Sequence, residues 1–321
     1  MKAIVFHRYG QADVLVPEEI EKPRPKDNEV LVKVYASCIN SWDYELIQGT
    51  PFLNRMMSGI FKPTKIKIPG CDIAGRIESV GKNVKRFQVG DEIYGDLSSC
   101  GWGGFAEYVA APEKALELKP SCLTFEQAAA VPQAALLALQ GLQRGGIQAG
   151  YNVLINGAGG GSGTFAIQIA KDLGADVTAV DSTEKLDLMR KTGADQVIDF
   201  TQEDFTSNKQ SYDLIFDNAS NRSLSQYSRV LNPGGMHVMV GGKSFSIIKS
   251  MLASIFGSKK FVLLMHKANK DLLKMNKLLE SARVTPVIDK RYSLSEAADA
   301  MRYFAAGHAK GKIVITIEHD K

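Results

Sequence analysis

A glycine-rich run of seven residues is the part of this chain most suited to binding chemistry. The run consists of Gly157, Ala158, Gly159, Gly160, Gly161, Ser162 and Gly163. An apolar stretch, 153–155, leads into it, and a helix-like stretch, 164–173, leads out of it. Glycine allows a backbone to approach a pyrophosphate closely, and the N-terminus of the following helix offers unpaired N–H groups with partial positive charge.

The next apolar stretch, 177–180, ends on an acid, Asp181. An acid at the end of the second strand can accept hydrogen bonds from an adenosine ribose, and it falls roughly 20 residues after the last glycine of dinucleotide-binding turns. Gly160 and Gly163 match the second and third glycines of that fingerprint, which leaves Ala158 at the first. A glycine linker is the alternative, and the patterned flanks disfavour it. The pattern therefore predicts a strand, a turn, a helix and a second strand that bind a dinucleotide.

Length and composition limit the class of protein. The chain has 321 residues, 45% of them hydrophobic and 23% charged, which is typical of a globular protein of about two domains. A net charge of +4 is too small to indicate nucleic-acid binding, and no partner of that kind is expected. The four cysteines are widely spaced and read as reduced thiols, and no apolar run approaches a signal peptide or a membrane span. We therefore expect a cytoplasmic protein.

The pattern of apolar residues along the chain changes near residue 124. Before it, short apolar or alternating runs separated by Gly, Pro and Asp predict a compact β-rich domain. After it, an Ala- and Leu-rich helical stretch, 125–140, is followed by alternating strands and helices. Such alternation predicts a doubly wound parallel sheet covered on both faces, so the fold class is α/β. We place the end of this domain at Pro286 and expect the C-terminal segment to return to the first domain.

Seven stretches in family order resemble the medium-chain dehydrogenase/reductase superfamily, and in particular its zinc-free quinone oxidoreductase branch. They lie at 38–43, 69–75, 89–91, 103–108, 157–171, 193–200 and 307–312. The resemblance covers nearly the whole chain. It implies a GroES-like domain over 1–123 and 287–321, a Rossmann domain over 124–286, and a homo-oligomer, either a dimer or a tetramer.

The resemblance also raises the question of zinc, because other members of the superfamily are zinc-dependent. The positions that match the ligands of the catalytic zinc are Asn40, Cys71 and Gln133. Amide oxygens are poor zinc ligands, and Asp72 beside Cys71 makes only two candidates where three are normal. We therefore expect no metal. Without a Lewis acid, alcohol oxidation is disfavoured, and reduction of a quinone or a conjugated enone by NADPH or NADH is favoured.

Four residues match the substrate side of the family's site: Asn40, Asp43, Tyr44 and Gln133. Asn40 could donate a hydrogen bond to a substrate or cofactor carbonyl, and Tyr44 could donate a proton or line the pocket. Gln133 is expected near the nicotinamide. Asp43 could equally be a buried carboxylate that orients loop backbone, Tyr44 a packing aromatic ring and Gln133 a satisfied polar group at a helix end.

The choice between NADH and NADPH is open in the sequence. Asp181 argues for NADH, because a carboxylate would repel a 2′-phosphate. The family branch favours NADPH, and Ser182 and Lys185 could contact the phosphate, although Lys185 could also be a solvated helix lysine. Phe200 stands where the branch often has tyrosine. On balance we expect NADPH.

Further cofactor contacts are implied by the family at strand ends. Asn218 follows one strand, and Val240, Gly241 and Gly242 follow another, where backbone groups are expected to bind the nicotinamide carboxamide. Lys312 is also assigned to the cofactor by the resemblance.

Two alternatives remain at this point. Residues 243–277 carry eight lysines and one acid among apolar residues. This segment could contact an anionic membrane surface weakly, although an inward-packed or oligomer-packed helix is the more ordinary reading. For function, the alternatives to a quinone reductase are a reductase of 2-alkenals or other enones, and a non-catalytic protein that binds NAD(P)H.

Overall fold

The computed structural model describes residues 1–240 and 259–319. Along these residues the strands are β1 Lys2–Val5, β2 Val16–Glu19, β3 Glu29–Ile39, β4 Asp72–Val80, β5 Glu92–Asp96, β6 Tyr108–Pro112, β7 Glu117–Leu118, β8 Asn152–Asn156, β9 Asp176–Asp181, β10 Gln196–Asp199, β11 Tyr212–Asp217, β12 Leu231–Met239, β13 Lys260–Leu263, β14 Ile288–Ser293 and β15 Lys312–Thr316. The helices are α1 Ser41–Gln48, α2 Phe52–Ser58, α3 Phe125–Ala129, α4 Pro132–Arg144, α5 Gly161–Asp172, α6 Leu186–Thr192, α7 Leu224–Arg229, α8 Leu272–Glu280 and α9 Ala297–Ala305. Short 3-10 turns lie at Ala12–Val14, Glu113–Ala115, Thr183–Lys185 and Leu294–Glu296.

The chain divides into two compact units. The first, called here the β-rich unit, comprises Met1–Gln133, Ala268–Glu280 and Pro286–Lys321. The second, the parallel-sheet unit, comprises Ala134–Lys267 and Ser281–Thr285. We predict a boundary between residues 123 and 124, whereas the compact units divide after Gln133, because helix α3 packs on strands β3 and β4.

The β-rich unit is built around one seven-stranded sheet in the order β14-β15-β3-β4-β5-β7, with β6 also paired to β3. Strand β3 lies inside this sheet, between β15 and β4. Its residues Val30, Val32 and Val34 are fully buried in the core. The C-terminal strand β15 pairs antiparallel with β3, so the end of the chain belongs to the sheet of the β-rich unit. The register sets Ile313 opposite Ile39, which brings the start of β15 beside the end of β3.

The parallel-sheet unit has six parallel strands in the order β10-β9-β8-β11-β12-β13. This is the strand order of a dinucleotide-binding doubly wound sheet, so the predicted fold class is confirmed. The first strand of this unit, β8, lies in the middle of the sheet, with β9 and β10 on one side and β11, β12 and β13 on the other. Strands β8 and β11 end together, with Asn156 paired to Asp217. Ligands bind at this edge in such sheets.

One predicted element was wrong in its extent. The stretch 125–140 is not one helix but two, α3 and α4, with a break at residues 130–131. Pro132 explains the break, because it lacks a backbone N–H and disfavours helical geometry at the residue before it. Proline is well tolerated as the first residue of the second helix.

Two other observations bear on the sequence predictions. All four cysteines are free thiols. Over residues 1–240 and 259–319, we find no helix with the length and apolar character that a membrane span requires. Of the lysine-rich segment, residues 243–258 lie outside the described residues.

Candidate functional site

The glycine-rich turn lies between strand β8 and helix α5 in the parallel-sheet unit. Gly157 has a φ of 77°, a left-handed conformation that favours glycine. The N–H groups of Gly157 and Ala158 both donate to the Val180 carbonyl, at 3.0 and 3.1 Å, which ties the turn to β9. Helix α5 begins at Gly161, three residues earlier than predicted, so its unpaired N–H groups belong to the glycine run itself.

The glycines of the turn serve two different purposes. A Cβ on Gly163 would lie 2.3 Å from the Gly157 carbonyl oxygen, so close helix-to-strand packing requires glycine there. A Cβ on Gly160 would meet one protein atom within 4 Å, the same oxygen at 3.5 Å, and its φ of −84° suits any residue. Protein packing therefore does not require glycine at position 160. Bare backbone next to open space is what a pyrophosphate would need.

Asp181 stands at the end of β9 as predicted, but its carboxylate is already engaged. One oxygen accepts from the Gly159 N–H and the other from the Ser182 N–H, each at 2.9 Å. The Lys185 ammonium lies 3.4 Å from the second oxygen, and both side chains are largely buried. The acid therefore holds the shape of the turn, and a lysine partly neutralises its charge. A solvated Lys185, one alternative of the sequence analysis, is wrong.

Phe200 lies beside this acid. Its N–H donates to the Asp181 carbonyl at 3.1 Å, and its ring is 36% exposed. An exposed aromatic ring next to the predicted ribose acceptor provides a flat apolar face on which a base could stack.

A buried network missed by the sequence analysis lies at the ends of β8, β11 and β12. Asp217 accepts from His237 Nε2 at 2.9 Å and from Asn156 Nδ2 at 2.9 Å, and His237 stacks on Tyr227. Burial raises the pKa of the Asp217 carboxyl, but the bond and charge of His237, together with bonds from the Ser220 N–H and the Tyr227 hydroxyl, outweigh this effect, so that pKa lies below its ordinary value. The sequence signal was a lone histidine in an apolar strand, to which no role was assigned.

The same carboxylate positions Asn218. Asp217 Oδ1 also accepts from the N–H groups of Ala219 and Ser220, at 3.2 and 2.8 Å, so the loop around Asn218 is held in place. Asn218 Nδ2 is buried and has no hydrogen-bond partner among the residues that the structure describes. An orphaned donor at the ligand-binding edge of the sheet is what a bound polar group would satisfy. Val240 donates its N–H to the Asp217 carbonyl, while Gly241 and Gly242 lie outside the described residues.

The β-rich unit contains a second cluster, around the first turn of α1. Asn40 is the N-cap of this helix, and Asp43 Oδ2 accepts its backbone N–H at 2.8 Å in a capping box. Asp43 Oδ1 accepts from the N–H groups of Gly70 and Cys71, at 2.9 and 3.1 Å. Burial raises the pKa of the Asp43 carboxyl to about 7, although the three N–H donors oppose the shift. These contacts make Asp43 an anchor of loop backbone.

The amide of Asn40 is fully used inside this cluster. Its Nδ2 donates to Asp72 Oδ2 at 3.0 Å and to Cys71 Sγ at 3.3 Å. Its Oδ1 accepts from the Lys312 ammonium. Gln133 adds its backbone N–H to both Asp72 oxygens, at 3.1 and 3.2 Å, and its Nε2 to Cys71 Sγ at 3.5 Å. Both side-chain amides thus donate to the thiol, and the Asn40 amide and the Gln133 backbone N–H donate to the carboxylate.

Lys312 lies in this cluster, within the β-rich unit. It is 3% exposed, and its Nζ donates to the Ile39 carbonyl at 3.1 Å as well as to Asn40. Burial lowers the pKa of the Lys312 ammonium, but Cys38, Asp72 and Cys71 together outweigh this effect and raise it. A buried, charged lysine that bonds to Asn40 is a structural cation of the cluster, which the resemblance did not indicate.

Three potential metal ligands meet beside these amides. Ligand atoms of Cys71, Asp72 and Asp96 lie within 4.8 Å of one another, so the prediction of only two candidate ligands was wrong. Burial first, and then the charges of Asp43, Asp72 and Asp96, raise the pKa of the Cys71 thiol well above its ordinary value. Burial and Asp96 likewise raise that of Asp72. Asp72 already accepts from two N–H groups, the Asn40 side-chain amide and the Gln133 backbone, the second of which it shares between its two oxygens.

Tyr44 lies apart from this set of contacts. Its hydroxyl donates to the Gln11 side chain, and its ring makes an edge contact with Phe304. Asn40, Asp43 and Gln133 all contact Cys71, while the Tyr44 hydroxyl bonds elsewhere.

Comparisons with known proteins agree with this architecture. The profile described as the alcohol dehydrogenase GroES-like domain matches residues 26–121, and the one described as zinc-binding dehydrogenase matches residues 192–315. A chloroplastic NADPH-dependent alkenal/one oxidoreductase of Arabidopsis thaliana is 36% identical over 330 residues, which cover 98% of this chain and 79% of that protein. A chloroplast envelope quinone oxidoreductase homolog of the same plant is 33% identical over 331 residues, which cover 98% of each.

Among solved structures, the quinone oxidoreductase of Coxiella burnetii matches with a TM-score of 0.91 at 28% identity, over 99% of each chain. The match extends over both units, so fold and sequence point to the same group of enzymes. The chain belongs to the quinone oxidoreductase branch of the medium-chain dehydrogenase/reductase superfamily and is an oxidoreductase.

Proposed function

We propose that this enzyme reduces quinones or conjugated enones with a nicotinamide nucleotide, without the help of a metal ion. The observation that carries the proposal is the amide pair of the β-rich unit. Where zinc-dependent relatives would have ligands, Asn40 and Gln133 direct N–H groups at Cys71 Sγ. A metal would need lone pairs at those positions.

The parallel-sheet unit would hold the nucleotide. Backbone N–H groups at the start of α5 would bind the pyrophosphate, with Gly160 leaving room for it. Asn218 would satisfy its orphaned Nδ2 on a polar group of the nucleotide. When bound, the nicotinamide supplies the hydride.

The polar cluster of the β-rich unit is held together by hydrogen bonds among its own side chains. Because Asn40 is fully engaged, we assign it a positioning role in the cluster and not the donation of a hydrogen bond to substrate. Tyr44, which is only partly buried, remains our candidate to line the substrate pocket or to pass a proton. An electron-poor quinone or enone needs no stronger electrophilic assistance than hydrogen bonding.

We propose NADPH as the preferred nucleotide. Lys185 pairs with Asp181, so the repulsion that the acid would exert on a 2′-phosphate is reduced, and the ammonium itself is a possible phosphate contact. The Arabidopsis relative of 36% identity is named as NADPH-dependent.

A turnover assay tests the proposed reaction. Purified enzyme is first dialysed against a chelator and its metal content measured, and it is then given NADPH or NADH with a benzoquinone and, separately, with a 2-alkenal. We expect nucleotide oxidation with at least one acceptor, unchanged by chelation. Turnover that is lost on chelation and restored by zinc would contradict metal independence. A preference for the alkenal would identify the enone as the substrate class.

A further inference from the structure

Helix α2 of the β-rich unit buries polar residues and exposes apolar ones. Its polar residues face the protein: Asn54 and Ser58 are buried, and they bond to Trp42 and Tyr9, respectively. Its large apolar residues face solvent instead, as do the two that follow it. The exposed set, called here the α2 face, consists of Phe52, Leu53, Met56 and Met57 of the helix and of Ile60 and Phe61 after it.

The α2 face gathers six exposed apolar residues within ten positions of the chain. Phe52 and Leu53 are each 60% exposed, and the Phe61 side chain is 94% exposed. Single exposed apolar residues are common, but a contiguous group marks a surface that another phase or molecule covers. The bonds of Asn54 to Trp42 and of Ser58 to Tyr9 hold the helix in this orientation, so the exposure is built into the fold.

The charges around this face indicate what covers it. Lys62, Lys65 and Lys67 follow the helix directly and are exposed, and residues 46–71 contain no acid at all. Within the described part of the chain, none of the three lysines has an ion-pair partner. Apolar side chains next to unpaired lysines are the pattern of segments that lie in the interface of an anionic bilayer.

We propose that the α2 face and its three lysines dock the enzyme on an anionic membrane surface. Met56, Phe61 and their apolar neighbours would enter the headgroup region, and the lysines would contact lipid phosphates and carboxylates. This docking surface is a different segment from the lysine-rich stretch 243–277, and it does not depend on which substrate the enzyme reduces.

Co-sedimentation with vesicles tests the proposal. The probes are phosphatidylcholine vesicles with and without phosphatidylserine, at low and at raised salt. We expect the wild-type protein to bind the anionic vesicles, to release them as salt rises, and to bind neutral vesicles at least tenfold more weakly, since each lysine adds roughly fivefold to anionic binding.

Two double variants separate the contributions. Phe61→Ser with Met56→Ser removes apolar contact, and Lys62→Glu with Lys65→Glu reverses charge; each is expected to weaken anionic binding by about tenfold or more. The matched controls are Val89→Ser and Lys114→Glu, which alter other exposed residues of the same unit and should bind as the wild type does. Because all six sites are exposed, unfolding midpoints should stay within a degree or two.

Three results would overturn the proposal. The first is that the wild-type protein sediments with neither kind of vesicle, and the second is that the α2 variants bind as well as their controls. The third is that the purified protein self-associates without lipid and that Phe61→Ser with Met56→Ser abolishes this self-association. That last result would assign the face to a second copy of the chain.

Discussion

Replacing Lys312 with methionine tests whether a buried cation holds the polar cluster of the β-rich unit together. Methionine keeps most of the side-chain volume but removes the ammonium that bonds to Asn40 and to the Ile39 carbonyl. Breaking a buried charge cluster by removing one partner costs about 3–5 kcal/mol. We expect a loss of about 3 kcal/mol at neutral pH, since Asn40 keeps its two donor contacts.

The loss of unfolding free energy caused by Lys312→Met should depend on pH. The folded pKa values of Asp43, about 7, and of Asp72 both lie above the unfolded value of 3.8, so these groups contribute stability at low pH and lose it as pH rises through the folded pKa. Lys312 lowers both folded pKa values. Without the Lys312 ammonium, the folded pKa values of Asp43 and Asp72 rise further, so the stability continues to fall up to a higher pH. The deficit of Lys312→Met should therefore be larger near pH 8 than near pH 5.

Tryptophan fluorescence during urea unfolding measures this unit selectively. Trp42 and Trp102, the chain's two tryptophans, both lie in the β-rich unit and make an edge contact with each other. Lys310→Met is the matched control, because it removes a half-buried lysine two residues away and should cost less than about 0.5 kcal/mol. An equal deficit at both pH values, or a loss of less than about 1 kcal/mol, would refute the electrostatic argument.

Three further predictions concern the parallel-sheet unit. Replacing His237 with phenylalanine keeps an aromatic ring against Tyr227 but removes the partner of Asp217, so the KM for NADPH should rise about fivefold or more with little change in kcat, as steady-state kinetics would detect. Asp181→Ser should raise NADPH affinity and lower NADH affinity, by roughly tenfold in their ratio, when both are titrated by fluorescence; an unchanged ratio would mean that the acid does not face the ribose. Gly163→Ala should lower the free energy of unfolding by more than about 2 kcal/mol, because its Cβ would lie 2.3 Å from backbone oxygen; normal stability would disprove the packing argument.

Much of the parallel-sheet unit could be predicted from local pattern. Strands β8 and β9 and the glycine turn follow from apolar runs, glycines and one acid that are close together in the chain, and the structure has them within a few residues of the prediction. The contacts of the Asp181 carboxylate within the turn could not be predicted, because one of its partners is Lys185, whose distance from the acid depends on how the turn folds.

The polar cluster of the β-rich unit depends on long-range pairing. Asn40 and Lys312 are neighbours because β15 pairs with β3 across 272 residues, and no local pattern contains that register. For the same reason Asp96 was missed as a neighbour of Cys71 and Asp72. Helix α2 was missed because its apolar residues face outwards, so its sequence does not read as a core-facing helix.

The most direct test of the central claim is the dissociation constant of NADPH for Gly160→Ala, beside its unfolding midpoint. A Cβ at this position would meet one protein atom, at 3.5 Å, so the variant should be as stable as the wild type. If a pyrophosphate occupies the open space beside this backbone, the added methyl group should weaken NADPH binding at least tenfold. Unchanged NADPH affinity in a stably folded Gly160→Ala protein would contradict the account.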